Sequence, residues 1–203
     1  RKKAALIVKK LKELFPEVKS ALNYSNKFEL LSAVILSAQC TDKRVNIVTK
    51  NLFKKYKAVE DFAKADLKLF EQDIKSTGFY RNKAKNIINC AKIILKNYKG
   101  KIPDSMEELL KLPGIARKSA NIILYLTTGN IEGVAVDTHV KRLAKVLGLT
   151  NNADPVKIEK DLMQILPKEE WMGFSFRLVD YGRKYCSARK HNHKNCPLIK
   201  LVS

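Results

Sequence analysis

Apolar residues along this chain recur with the period of a helix rather than that of a strand. Over residues 83–98, Ala84, Ile87, Ile88, Ala91, Ile94, Leu95 and Tyr98 return at three- and four-residue steps, forming one stripe that Gly100 stops. A second stripe, Val45, Val48, Leu52 and Phe53, follows Asp42, and a third, Leu67, Phe70 and Ile74, follows Asp66 and ends at Gly78. Either aspartate can cap the first-turn amides of its helix. Ser105 and Glu108 have the spacing of a capping box before Leu109 and Leu110. Asp154-Pro155 opens a stripe of Leu162, Ile165 and Leu166, and Trp171, Phe174, Leu178 and Tyr181 make the next. Period-two alternation is nearly absent, residues 131–136 being the best candidate for a short extended run. The pattern predicts an all-α protein of about ten helices with lysine-rich outer faces. One helical layer would not bury so many stripes, so two packed helical lobes are expected.

Composition adds a partner. The chain has 203 residues, with 40 Lys+Arg against 20 Asp+Glu and a formal net charge of +20. Hydrophobic residues make up 45%, which excludes a disordered basic tail. A basic globular chain favours a polyanion, nucleic acid ahead of an anionic membrane surface. No stretch approaches the roughly 20 apolar residues of a membrane span. Arg1-Lys2-Lys3-Ala4-Ala5 leads into charged, helix-like sequence without the apolar core of a signal peptide. Four cysteines are too few for a disulfide-built fold, so a reducing cytoplasm is the expected compartment, at the nucleoid in a prokaryote. Cys40 and Cys90 fall on apolar stripes and read as small buried hydrophobes.

The segment most suggestive of chemistry is Leu112-Pro113-Gly114-Ile115-Ala116-Arg117-Lys118-Ser119-Ala120-Asn121-Ile122-Ile123-Leu124. A helix ending at Leu112, a Pro-Gly turn and a new helix leave first-turn amides pointing outward, a phosphate site of the helix-hairpin-helix kind. An ordinary αα-turn fits the Pro-Gly equally well; Arg117-Lys118 tips the balance toward phosphate. Lys118, in the first helical turn, is either a phosphate contact or an amine nucleophile. Val134-Ala135-Val136-Asp137-Thr138-His139 is an apolar run ending in an acid that heads a helix bearing Val140, Leu143, Ala144 and Leu147. Asp137 is either that helix's N-cap or a carboxylate able to move a proton.

These two segments, with Leu36-Ser37-Ala38-Gln39-Cys40-Thr41-Asp42 and with Thr77-Gly78-Phe79-Tyr80 followed by Lys83-Ala84, resemble in order the motifs of the endonuclease III family of base-excision DNA glycosylases. The resemblance runs from about residue 30 to 190. It implies a helical barrel with the hairpin over residues 21–130, and a second helical domain from residues 1–20 with 131–203. It also implies a monomer acting on double-stranded DNA that holds damaged bases or abasic sites, with no membrane partner. Lys118 would attack C1′ of the damaged nucleotide and form a Schiff base, and Asp137 would stabilise charge on the sugar and handle protons. Gln39 would fill the space of the flipped base and Phe79 would wedge into the stack, offsetting the few kcal/mol of lost stacking. Gly114, Ala116, Arg117, Arg189 and Lys190 would meet DNA phosphate. An amine nucleophile yields both release of oxidised pyrimidines and strand cleavage by β-elimination, since the imine acidifies the C2′ proton. A monofunctional mismatch or adenine glycosylase on the same scaffold, and a non-catalytic helix-hairpin-helix binding module, are the rival readings. Without the resemblance, Phe79 could be a core aromatic and Gln39 a helix-terminal residue bonded to carbonyls.

Two departures stand out. The family's Cys-x6-Cys-x2-Cys-x5-Cys run, which holds a four-iron four-sulfur cluster, reads here as Cys186, His193, Cys196 and Val202. Valine ligates nothing, so no such cluster and no cofactor is expected. Of the residual ligand-like Cys186, His193 and Cys196, the two cysteines with either His191 or His193 have donor types that suit zinc, although the spacing is not that of a common structural zinc site. The plainer expectation is a metal-free loop in which Arg189, Lys190, Lys194 and Lys200 meet phosphate. Ala116 stands where the family's hairpin has glycine; if that position needs φ > 0, alanine costs about 1 kcal/mol or more.

Overall fold

The computed structural model describes residues 1–189 and 191–202. Among them the regular structure is wholly helical. The chain runs α1 (Lys2–Leu14), α2 (Lys27–Leu36), α3 (Asp42–Lys55) and α4 (Val59–Ala63). It continues through α5 (Leu67–Asp73), α6 (Tyr80–Tyr98), α7 (Met106–Leu110) and α8 (Arg117–Thr128). The last four are α9 (Thr138–Val146), α10 (Pro155–Ile165), α11 (Trp171–Lys184) and α12 (Pro197–Val202). None is long and apolar enough to cross a membrane. Helices α4 and α12, five and six residues long, account for the excess over the ten expected, being too short to display a period. The extended run at 131–136 pairs with no strand among the described residues; Val134, Ala135 and Val136 are simply buried.

The chain divides into two compact units, Ser20–Gly129 and Arg1–Lys19 with Asn130–Ser203. The first is organised on α2. Every residue from Phe28 to Leu36 is buried, including Glu29 and Ser32, and α3, α6 and α8 pack against this helix. A helix apolar on all sides belongs in a core, and each large side chain so buried contributes about 1.5–3 kcal/mol. Phe28, Tyr56, Phe62 and Phe70 form an aromatic cluster, with Phe28 and Phe62 ring centroids 4.9 Å apart. Helix α6 buries Ala84, Ile87, Ile88, Ala91 and Ile94 from the stripe read in the sequence.

In the second unit α1 lays Ala4, Ile7 and Leu11 into a core shared with Val140, Leu143, Leu162, Phe174, Leu178 and Tyr181. Arg177 on α11 donates Nε–H to the carbonyl of Phe15 at 2.9 Å, closing the end of α1. The Gly182 backbone packs on α9 so closely that a Cβ there would lie 2.7 Å from His139 Nδ1.

Caps follow the sequence with two corrections. Asp66 and Asp154 accept from the amides of Leu69 and Lys157 as expected. At α3 the cap is Thr41, whose hydroxyl accepts from Arg44, and Asp42 is the first helical residue. At α7 only half of the capping box forms: Ser105 accepts from the Glu108 amide, while the Glu108 carboxylate turns to Tyr98 and Lys111.

Candidate active site

The hairpin lies between α7 and α8. Leu109, Leu112 and Ile115 are buried and anchor its turn, which the Ile115 amide closes on the Leu112 carbonyl at 3.2 Å. Gly114 has φ +81°, and a Cβ there would come within 2.5 Å of Asn86 Nδ2, so conformation and space both require glycine. Ala116 has φ −96° and ψ 167°, ordinary extended backbone, so the strain expected of alanine does not arise. It is the N-cap of α8 and supplies no side-chain acceptor to the first-turn amides. Those amides and the positive end of the helix dipole are suited to an anion, with Arg117 and Lys118 exposed beside them.

Asp137 is the N-cap of α9: Oδ1 accepts from the Val140 amide at 2.8 Å, and the residue is half-buried. One oxygen satisfies the cap and Oδ2 takes no part in it, so the cap and the proton-handling role are compatible.

Gln39 and Phe79 occupy two loops of the first unit, and both are held in the left-handed region, at φ 51° and φ 48°. Non-glycine residues pay about 1–2 kcal/mol for that conformation, and such strain collects where a loop is shaped for a task. Phe79 is 63% exposed, which removes the core-aromatic reading. Gln39 is exposed and makes no hydrogen bond to a helix-terminal carbonyl among the described residues.

Sequence reasoning missed the residue that joins these loops. Lys83, on the first turn of α6, is buried and donates from Nζ to the Leu36 carbonyl at 2.8 Å and to the Thr77 carbonyl at 2.9 Å. One carbonyl lies three residues before Gln39, the other two before Phe79. Burial holds the ammonium below the usual lysine value. A lysine on the apolar stripe of α6, just after a glycine-terminated turn, was the available signal.

Cys90 is buried, its thiol pushed up to about 12 by desolvation, and donates to the Pro113 carbonyl at 3.3 Å behind the hairpin. Cys40 lies in the turn after α2 rather than on a helical face, and is only partly buried.

The loop between α11 and α12 does not support the expectation of a metal-free loop. One donor atom each from Cys186, His191, His193 and Cys196 lies within 4.8 Å of all the others. Both cysteines are fully buried, His191 is half-buried and His193 exposed. A four-iron cluster interposes an eight-atom body between its ligands, whereas donors this close could hold a single ion. The set therefore does not fit the cluster, and an empty loop is not what the geometry supports. Arg189 is exposed; Lys190 lies outside the described residues.

With this geometry in hand, the similarities are informative. Residues 32–168 match the model of the HhH-GPD superfamily base excision DNA repair protein. Endonuclease III of Synechocystis sp. is 47% identical over 201 residues, covering 99% of this chain and 92% of that protein. A non-covalent endonuclease III–DNA complex superposes with a TM-score of 0.93 at 42% identity, covering 99% of this chain and 94% of the other. A trapped endonuclease III–DNA covalent intermediate superposes with a TM-score of 0.91 at 42% identity, covering 98% and 94%.

Proposed function

The chain belongs to the HhH-GPD superfamily of base excision DNA repair proteins, and on that premise we propose that it is a bifunctional DNA glycosylase and abasic-site lyase with Lys118 as the nucleophile. The observation that carries the reading is an exposed amine on the first turn of the hairpin's second helix, beside a phosphate-binding helix start. The similar endonuclease III has been trapped covalently on DNA, which is what an amine nucleophile permits.

The hairpin amides and Arg117 bind backbone phosphate without reading bases, fixing the register of the strand. Phe79 enters the stack and Gln39 occupies the vacated space, so that the damaged nucleotide is held outside the duplex. The Lys118 amine, in its neutral form, attacks C1′; the C1′–N bond breaks and the base leaves. The Asp137 carboxylate stabilises positive charge developing on the sugar, takes a proton from the attacking nitrogen and returns it to O4′ as the C1′–O4′ bond opens and the imine forms. Loss of the C2′ proton then expels the 3′ phosphate. Oxidised pyrimidines are the substrates. No step uses a four-iron cluster, which the ligand set does not fit.

Borohydride trapping on abasic-site DNA tests this. Wild-type protein is expected to give a covalent adduct that Lys118→Ala abolishes while duplex binding persists. Base release without an adduct would establish the monofunctional reading. Binding without either, on oxidised-pyrimidine and abasic duplexes, would establish the non-catalytic module.

A further inference from the structure

Three features of the loop at residues 185–196 point to a ligand that the catalytic reading does not involve. The first is distance. Cys186 Sγ lies 3.8 Å from His193 Nδ1, Cys196 Sγ 3.7 Å from His193 Nδ1, and His191 Nε2 3.3 Å from Cys196 Sγ. A tetrahedral zinc with Zn–S of about 2.3 Å and Zn–N of about 2.0–2.1 Å puts its sulfur and nitrogen ligands about 3.5 Å apart. The observed separations bracket that edge.

The second is tautomer. His191 Nδ1 is 2.8 Å from the Arg189 carbonyl, which can only accept, so Nδ1 carries the proton. In the neutral ring Nε2 then presents a lone pair toward Cys196. A backbone carbonyl on the far nitrogen is the usual outer partner of a metal-ligating histidine.

The third is charge and closure. Two thiolates and two neutral imidazoles exactly offset a divalent ion in formal charge, and both sulfurs are buried. Arg142 of α9 reaches the Cys186 carbonyl and lies 3.7 Å from Cys186 Sγ, placing a cation beside that sulfur. The Cys196 thiol donates to the Tyr185 carbonyl at 3.1 Å; on binding a metal, the S–H proton is released and that contact is given up.

We propose that Cys186, His191, His193 and Cys196 bind one Zn2+ as a closed, four-coordinate structural site. Mixed sulfur and nitrogen donors without carboxylate suit this ion, and four protein ligands leave no position for substrate. The ion links the end of α11 to the start of α12, whose Leu198 amide donates to the Tyr181 hydroxyl at 3.2 Å. It holds in place the segment that carries Arg189.

Metal content of the full chain, purified without a metal-affinity step, is the first measurement. About one zinc per chain is expected, without iron or acid-labile sulfide. Cobalt exchanged into the site should give tetrahedral d–d bands with a thiolate charge-transfer band. Cys186→Ser, which leaves Cys196 as the one thiolate, should lower the charge-transfer intensity, and His193→Gln, at an exposed position, should release zinc to a chelator that leaves wild type loaded. Circular dichroism on His193→Gln separates loss of metal from loss of fold. Four irons with sulfide per chain would overturn the proposal. So would zinc retention unchanged by both substitutions, no uptake of supplied zinc or cobalt by reduced protein, or a Cys186–Cys196 disulfide in freshly purified protein. None of these readings depends on Lys118, so adduct formation and metal content can fail separately.

Discussion

At the scale of single residues, substitution separates the observed N-cap role of Asp137 from the catalytic role proposed for it. Asparagine caps a helix as well as aspartate does, whereas alanine forfeits about 1 kcal/mol. Asp137→Asn is therefore expected to leave the thermal midpoint near wild type while slowing base release. Asp137→Ala should lose both, and equal activity in Asn and wild type would reduce Asp137 to a cap. Lys83 makes a complementary case. Replaced by methionine of similar length, it leaves the Leu36 and Thr77 carbonyls without their donor, at a penalty of about 1–3 kcal/mol. Because those carbonyls precede Gln39 and Phe79, Lys83→Met should also weaken distortion of damaged duplex, read by a fluorescent base beside the lesion. Stability loss with unchanged distortion would make it a purely structural residue.

At the scale of elements, the hairpin depends on Gly114 more than on any charge near it. Gly114→Ala forces a left-handed alanine against Asn86, so binding of undamaged duplex should fall together with activity, as an altered turn displaces the phosphate site. The contact of mid-helix Asp161 with the loop before α10 offers a pH-dependent test. Asp161 accepts from Thr150 and from Asn152 Nδ2, the latter at 2.7 Å, and these bonds hold its carboxyl below the usual aspartate value. A carboxyl lowered on folding contributes stability above its unfolded value and loses it as pH falls through the folded one. The acid limb of the unfolding curve below about pH 4 should therefore be shallower in Asp161→Asn than in wild type.

At the scale of the whole molecule, a net charge of +20 together with the phosphate contact proposed for the hairpin predicts binding through backbone contacts and counterion release. Affinity should fall linearly in log–log with salt, with a slope of about −0.9 per phosphate neutralised. Removing the charge of Arg189 should reduce that slope by about one if the loop after α11 meets DNA, and leave it unchanged if it does not.

What could be read from the chain alone was whatever depends on near neighbours. Periodic stripes placed α3, α5, α6 and α10, Asp66 and Asp154 marked helix starts, and Leu112 to Leu124 marked the hairpin, because caps and periods are set within a few residues. Helix α2 went unremarked since a helix apolar on every side has no stripe to see. The left-handed backbone at Gln39 and Phe79 and the Lys83 bridge between their loops come from contacts as far apart as residues 36 and 83. The loop after α11 is the sharpest contrast. Its sequence establishes that one ligand position of a four-iron cluster is a valine. Only the folded loop, by turning His191 and His193 onto two buried sulfurs, brings one donor atom from each of the four residues within 4.8 Å of the others.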